Sequence, residues 1–507
     1  MKKTGLFRIL IFTIMGMLVL SWLIPASAFE NGELVKYGVT AKLGFFDFFT
    51  SIFNSFKFQY FLEVALFILS VGAFYGVLSK TGKYRAWIEK IAASFKGIEY
   101  VFLICVAAVL AVLSSVFNYG LLLFIFIPLL IGIILAMGYD RIVAFVSTFG
   151  AILIGQLGTT VGYDINGVLN ELIGIKLING LVFKLLLLLI PLGLLIFYLV
   201  KARHSNIKKV EDKIEDTIEN GLFIGEKSSN KYSVASIIVI FAILFVLLIL
   251  GCTKWVDGFQ IEVFKKMHES IMKVSIKDFK IFENIIGTVN EFGAWGYIEM
   301  SVMLLLSSLL IGRLFRMKHV EVIENMCKGA IKLVPVTTLI IIAYSVLYIT
   351  AGTYCYPTIA NFIINATSKF NLFFSAIATA IGSALHIDMT FVAIYVAPQI
   401  AAQDANATVL MLLIQSIYGF TMLVAPTSIM LILGLGYLGI PYKEWIKKMW
   451  KSILIILAII FVILFIAMLQ KPIALFFKKY WLFVIIGVVV IVAAIIAFLI
   501  IKKKKRK

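Results

Sequence analysis

The stretch VAPTSIM, Val424 to Met430, puts Pro-Thr-Ser into the middle of an otherwise lipid-like apolar run. Proline removes a backbone donor, and two hydroxyls follow where hydrocarbon is expected. Each backbone group freed inside a bilayer costs several kcal/mol unless protein, water or a ligand satisfies it. Either the segment lies outside a membrane, or its helix is broken for a purpose.

Composition decides the first alternative. The chain has 507 residues, of which 62% are hydrophobic and 14% charged, with a mean hydropathy of +1.04. Soluble chains carry about 25% charged residues. Runs such as 181–200, 232–250 and 481–500 are long enough to cross a hydrocarbon core of about 30 Å. The fold class is therefore an all-α polytopic membrane protein.

The net charge of +19 sits in short segments between apolar runs, where it sets topology and signals no nucleic-acid partner. Cys105, Cys252, Cys327 and Cys355 are scattered with no CxxC pair, which argues against a disulfide framework or a zinc site. The first apolar stretch ends in PASA, which resembles a signal-peptide cleavage site. It is long for that purpose, and residues 6–29 read as an uncleaved first span.

With the N-terminus inside, beside Lys2, Lys3 and Arg8, basic residues mark the cytoplasmic loops. These are Lys80 to Lys96, Arg141, 201–231, Arg313 to Lys332, Lys443 to Lys451 and the terminal KKKKRK (502–507). Lys471, Lys478 and Lys479 are exceptions, on a short outer loop. The segment 252–296 falls outside, its six lysines balanced by six acids. Within it, 264–287 reads as amphipathic, lying on the membrane or packing on the domain. The assignment works if two apolar regions, 100–137 and 371–402, are re-entrant hairpins, which leaves about ten full spans and both termini in the cytoplasm. The expected membrane is the cytoplasmic one.

An internal repeat supports this. Ser115 and Ser383, Asn118 and His386, Thr159 and Thr427, and Thr160 and Ser428 are each 268 positions apart. A hairpin with a polar tip, SSVFNYG (114–120) or GSALHID (382–388), precedes each broken helix, interrupted by GQLGTTVG (155–162) or VAPTSIM. The hairpins enter from opposite sides in this topology, making an inverted repeat of the kind found in secondary transporters. The divisions are 1–200, the first repeat with its broken helix at 142–174; 201–232, a charged cytoplasmic linker; 233–296, a linking helix and outer segment; 297–470, the second repeat with its broken helix at 409–440; and 471–507, an additional C-terminal span with a basic tail. The linker's seven basic and six acidic residues over 201–231 read as a solvated connection.

Broken helices expose amide ends to an anion and carbonyls to Na⁺. The candidate substrate or ion site is therefore Ser115, Asn118, Thr159, Thr160, Ser383, His386, Asp388, Thr421, Thr427 and Ser428. Taken singly, such hydroxyls bond their own backbone; two copies in register favour a site. His386, of a residue type that ordinarily titrates near neutrality, suits a proton-coupling group and equally a hydrogen-bonded tip. Charges at membrane depth, as at Asp388 and Asp164, are costly and usually functional; Asp164 reads as nearer the outer surface.

These segments resemble the YfcC/DcuC/ArcD-type carriers of the ion transporter superfamily. SWLIPASAF (21–29), VGAFYGVLSKTG (71–82), AMGYDRIVAF (136–145) and APTSIMLILGLGYLGIPYKEWIK (425–447) carry the resemblance in order. It implies cation-coupled or exchange transport of carboxylate-bearing solutes such as amino acids, dicarboxylates or short peptides, and a homodimer. The sequence departs from that group where substrate should bind. Leu121 and Leu122 stand where paired glutamates are frequent, Tyr163-Asp164 where Asn-Pro is frequent, and Tyr418 where an aspartate is frequent.

P-loop, HExxH and GxSxG motifs are absent from the chain. The reading is a secondary active transporter with no cofactor beyond Na⁺ or H⁺ as coupling ion, and with small solutes and the bilayer as partners. A lipid-linked sugar polymerase would need arginine or acidic clusters in its outer loops, and 252–296 has no arginine. A channel would share the broken helices without coupling.

Overall fold

A computed structural model describes residues 4–30, 33–36, 42–206, 223–225 and 233–469. Helix α1 (Thr4–Leu23) leads into an antiparallel hairpin, β1 (Ser27–Glu30) and β2 (Glu33–Lys36), and the surface helix α2 (Phe45–Asn54). Next come α3 (Gln59–Lys80), α4 (Lys83–Ser94), α5 (Glu99–Phe117) and α6 (Ile127–Ala136). Helix α7 (Arg141–Leu157) carries one π-turn, and α8 (Tyr163–Ile173) and α9 (Leu181–Asn206) complete the first half.

The second half opens with α10 (Ala235–Cys252). Two short helices, α11 (Val263–Met272) and α12 (Ile281–Ile286), flank a minimal hairpin of β3 (Ser275–Ile276) and β4 (Phe279–Lys280). Then follow α13 (Tyr297–Leu314), α14 (His319–Thr353), α15 (Tyr356–Ile364), α16 (Leu372–His386) and α17 (Met389–Ala401). Helices α18 (Ala407–Val424), α19 (Ile429–Leu438) and α20 (Tyr442–Leu469) end the described chain.

Among the described residues nine helices are long and apolar enough to cross a membrane, α18 and α19 being counted together. Their outward faces are hydrocarbon: α10 exposes Ile238, Val239, Ile243 and Val246. Helices α16 and α17, with 15 and 13 residues, reach only about 20–22 Å at 1.5 Å per residue and stop short of a full crossing. Helix α5, with 19 residues, is long enough to span, whereas its partner α6 has 10.

The hairpins and breaks expected from the sequence recur in the same order and spacing. Helices α5 and α16 end at Phe117 and His386; α7 and α18 end at Leu157 and Val424; α8 and α19 begin at Tyr163 and Ile429. Each pair lies within two residues of the 268-residue offset.

Three boundaries differ from expectation. The first span ends at Leu23 rather than Phe29, because Pro25 disfavours helix in the preceding residue and Ser27–Glu30 pairs as a strand. The loop expected over Arg313 to Lys332 is mostly helix. Residues 319–332 form the first turns of α14, which contains no proline there and is laced by Glu324–Lys328 at 3.2 Å. The linker is not merely solvated: Lys201 continues α9, and Phe223 and Ile224 are buried, Phe223 lying against the rings of Tyr75 and Tyr437. Linker residues 207–222 and 226–232 and the span expected over 471–507 lie outside the described residues. The 264–287 segment stands away from the core, since α11 buries no residue.

The longest interhelical contact sets α3 against α14. It needs glycine on both sides: a methyl group on Gly76 would sit 2.1 Å from the Asn325 carbonyl oxygen, and one on Gly72 would sit 2.8 Å from that of Gly329. Small residues four apart are how membrane helices bring backbones together. Gly76→Ala is therefore expected to destabilise the protein by at least about 1–3 kcal/mol, the usual cost of overpacking. A lowered melting temperature in detergent checks this; an unchanged one contradicts the close crossing.

Candidate functional site

The first break, residues 158–162, separates α7 from α8, and four of its five carbonyls, those of Gly158, Thr159, Thr160 and Gly162, are taken by protein donors. Ser115 Oγ donates to Gly158 O at 2.7 Å, and Gln415 Nε2 donates to Thr159 O at 2.6 Å. Lys184 Nζ donates to Thr160 O at 3.2 Å, and Asn166 Nδ2 to Gly162 O at 2.9 Å. The Thr160 amide reaches back to Ser115 O at 3.1 Å, tying the break to the end of α5. A methyl group on Gly419 would lie 2.3 Å from Leu157 Cα, so α18 crosses α7 immediately beside both breaks.

In the second break, residues 425–428, Pro426 cannot donate and Ser428 caps α19, its Oγ accepting from Leu431 N at 3.4 Å. Thr427 Oγ1 donates to Ala384 O at 2.6 Å and Tyr418 Oη to Ile387 O at 2.8 Å, holding the tip of the second hairpin. At that tip Ile387 adopts φ +63°, a conformation costly for a branched side chain. Asn118 adopts φ +58° at the first tip, where asparagine is well tolerated. Among the described residues the carbonyls of Pro426 and Thr427 accept no hydrogen bond.

Both tips, the second break at Ser428 and the helix ends flanking the first break, at Gln156 and Asp164, line one cavity of about 190 Å³. Asn118 and Asp388 enter it from the tips, and Asp164 and Ser428 from the starts of α8 and α19. Tyr60, Tyr297, Tyr344 and Tyr418 contribute phenols to the lining, together with Gln156. Two carboxylates and no lysine or arginine line it. Asp164 and Asp388 repel each other, while Asn118 and Lys254 favour the charged Asp164 carboxylate. Asp388 is half-buried and caps α17, its Oδ1 accepting from Thr390 N at 2.7 Å. The N-termini of α8, α17 and α19 all reach the cavity, and their partial positive charge favours an anion there.

Of the ten residues named from sequence, Asn118, Asp388 and Ser428 line the cavity. Ser115, Thr160 and Thr427 stand behind it as the bonds joining tips to breaks. The hydroxyls of Thr159, Ser383 and Thr421 bond nearby backbone, at Gln156 O, Thr379 O and Ile417 O. His386 is fully buried between Tyr356 and Tyr395. Its Nδ1 faces Gly382 O at 3.2 Å and must donate to it, while Nε2 has no partner. That arrangement suits a neutral imidazole, since a second N–H would be left unsatisfied. Asp164, read as nearer the surface, lines the cavity, as do Leu121 and Tyr418, two of the positions where the sequence departs from its resemblance.

Sequence reasoning missed Tyr60, Tyr297 and Tyr344, and also Gln156, Gln415 and Lys184. Lys184 and Gln415 carried a signal in being polar residues inside apolar runs, KLLLLLI and LMLLIQSI.

The family model of the C4-dicarboxylate anaerobic carriers matches residues 4–469. An uncharacterized protein of Haemophilus influenzae is 27% identical over 138 residues, a stretch covering 27% of this chain and 27% of that protein. The crystal structure of the Alcanivorax borkumensis YdaH transporter, described as having an unusual topology, is similar at 12% identity with a TM-score of 0.42. That alignment covers 92% of this chain and 99% of the other.

Asp164→Asn and Asp388→Asn are expected to weaken solute or cation affinity by about tenfold to a hundredfold, the effect of losing a bond to a charged group. Thr421→Ala, outside the cavity, should leave affinity unchanged. Titration of the three purified variants checks this, and equal affinities throughout would remove the aspartates from the site.

Proposed function

We propose a solute and a coupling scheme for this chain, which belongs to the C4-dicarboxylate anaerobic carrier family and is accordingly a secondary transporter of carboxylate-type solutes rather than an enzyme. The solute is a small amino carboxylate of about four carbons, moved with, or exchanged against, Na⁺ or H⁺. One observation carries this reading: Asp164, Asp388 and three helix N-termini share a cavity of about 190 Å³ that no basic side chain lines. Helix amide ends suit the solute's carboxylate, and the aspartates suit an ammonium group. The volume lies below the roughly 300–1,000 Å³ of drug-sized pockets, which favours a compact solute over a peptide.

The family itself favours a second reading, a plain C4-dicarboxylate. A dianion beside two aspartates in a low-dielectric site is strongly disfavoured unless co-transported cations or protons neutralise them. The two readings differ in cation requirement. Proteoliposome counterflow with aspartate and succinate, with Na⁺ and pH varied, separates them. The first reading expects aspartate to need less Na⁺, or a less acid pH, than succinate, which binds only with Na⁺ or at low pH. Tight succinate binding without either would overturn the amino-carboxylate assignment.

Alternating access follows if the two hairpin-and-break units are inverted across the cytoplasmic membrane, with the N-terminus inside. The placement of basic residues supports that arrangement. With the native cysteines replaced, cysteines introduced at Gly138 and Gln403 are expected to label from opposite sides. Labelling from one side would contradict the inversion.

A further inference from the structure

The Lys184 side chain is completely buried in the first turn of α9 and lies outside the lining of the cavity. Its Nζ donates to Asn166 Oδ1 at 2.7 Å, to Leu177 O at 2.7 Å and to Thr160 O at 3.2 Å. Three convergent acceptors require three N–H donors, which an ammonium has and a neutral amine lacks. The cage is therefore built for the cation. Its ligands are two backbone carbonyls and one side-chain amide oxygen, with no carboxylate among them. Thr160 O belongs to the unwound segment itself. Carbonyls of unwound segments are the ligands with which interrupted membrane helices hold Na⁺.

The second break has no such occupant. The 268-residue offset leads from Lys184 to Ser452 and from Asn166 to Gly434, neither of which carries a charge. It leads from Gln415 back to Ser147, which bonds only its own helix, at Val143 O and Ala144 O. The first break is thus sealed by donors that the second half of the chain does not duplicate.

We infer that the Lys184 ammonium is a tethered cation, standing in the first break where an exchangeable alkali ion would otherwise be held. The first half of the carrier then supplies its own cation, and cation exchange is confined to the second half. The side chain acts on solute through the break and α8, whose N-terminus reaches the cavity, and so is a positioning residue. The inference rests on the cation-coupled reading above, but its first test involves no solute.

Removing the side chain leaves Thr160 O, Leu177 O and Asn166 Oδ1 around a vacated space. Thermal unfolding of the full-length purified Lys184→Ala variant is measured in NaCl and in choline chloride at equal ionic strength, beside the wild type. A saturable, Na⁺-specific rise in melting temperature is expected in the variant, beyond any rise in the wild type. In proteoliposomes its uptake should fall at least about tenfold in choline, a loss of one decade in affinity or rate, and recover toward wild type in Na⁺. Equal melting temperatures in the two salts, in a variant that folds or one that unfolds early, would overturn the inference. Lys184→Gln separates charge from shape, because it keeps hydrogen-bond donors and still fills the cage. It is expected to fold and to lose uptake without Na⁺ rescue; wild-type uptake would mean that Lys184 only pins the break. If no tested solute binds the wild type, the proposed function fails while the thermal result still stands.

Discussion

Everything in this structure follows from the need to satisfy backbone groups where two helices are interrupted inside an apolar bundle. A carbonyl or amide freed at that depth finds no bulk water, and its cost is met by protein or by a ligand. The first break meets it with Ser115, Gln415, Lys184 and Asn166, each aimed at a different carbonyl. The second meets it in part, with Thr427 spent on the neighbouring tip and the carbonyls of Pro426 and Thr427 left without a protein donor. The breaks are kept adjacent by a backbone crossing that only glycine permits at position 419.

From that constraint the cavity inherits its chemistry. Interrupting a helix creates a new N-terminus, and three of them reach one small volume together with Asp164 and Asp388. Positive helix ends and negative side chains occupy the same space without a basic side chain between them. Such a site discriminates by charge pattern. Each tip is bonded to its own break, Ser115 to Thr160 and Ala384 to Thr427, so a tip and the helix start beside it are positioned as one unit.

Much of this was legible in the sequence, because the signals were local or periodic. Pro426 inside an apolar run announced a break, and a fixed offset of 268 announced its twin. The tips, both interruptions and the paired hydroxyls follow from those two facts. What the hydroxyls do was harder to read. The same atoms can serve a ligand or a neighbouring carbonyl, and packing decides: Thr159, Ser383 and Thr421 bond carbonyls three or four residues before them, while Ser428 reaches the cavity. Contacts between distant segments were not legible. Gln415 meets Thr159 across 256 positions, and Tyr60, Tyr297 and Tyr344 come from three separate helices. Phe223 reads as part of a charged linker, yet it is buried against Tyr75 and Tyr437, since one aromatic ring outweighs the polarity of its neighbours once a cleft fits it.

The central claim is that solute binds among the two tips and the two helix starts. Ile429→Cys, in a chain whose Cys105, Cys252 and Cys355 are replaced by serine, places a thiol in that cavity and keeps the exposed Cys327 as an internal reference. The rate of alkylation is measured at both positions with and without a transported solute. The account predicts that solute slows the reaction at position 429 in proportion to site occupancy and leaves position 327 unaffected. Equal rates at position 429 with and without a solute that the same variant transports would place the binding site elsewhere.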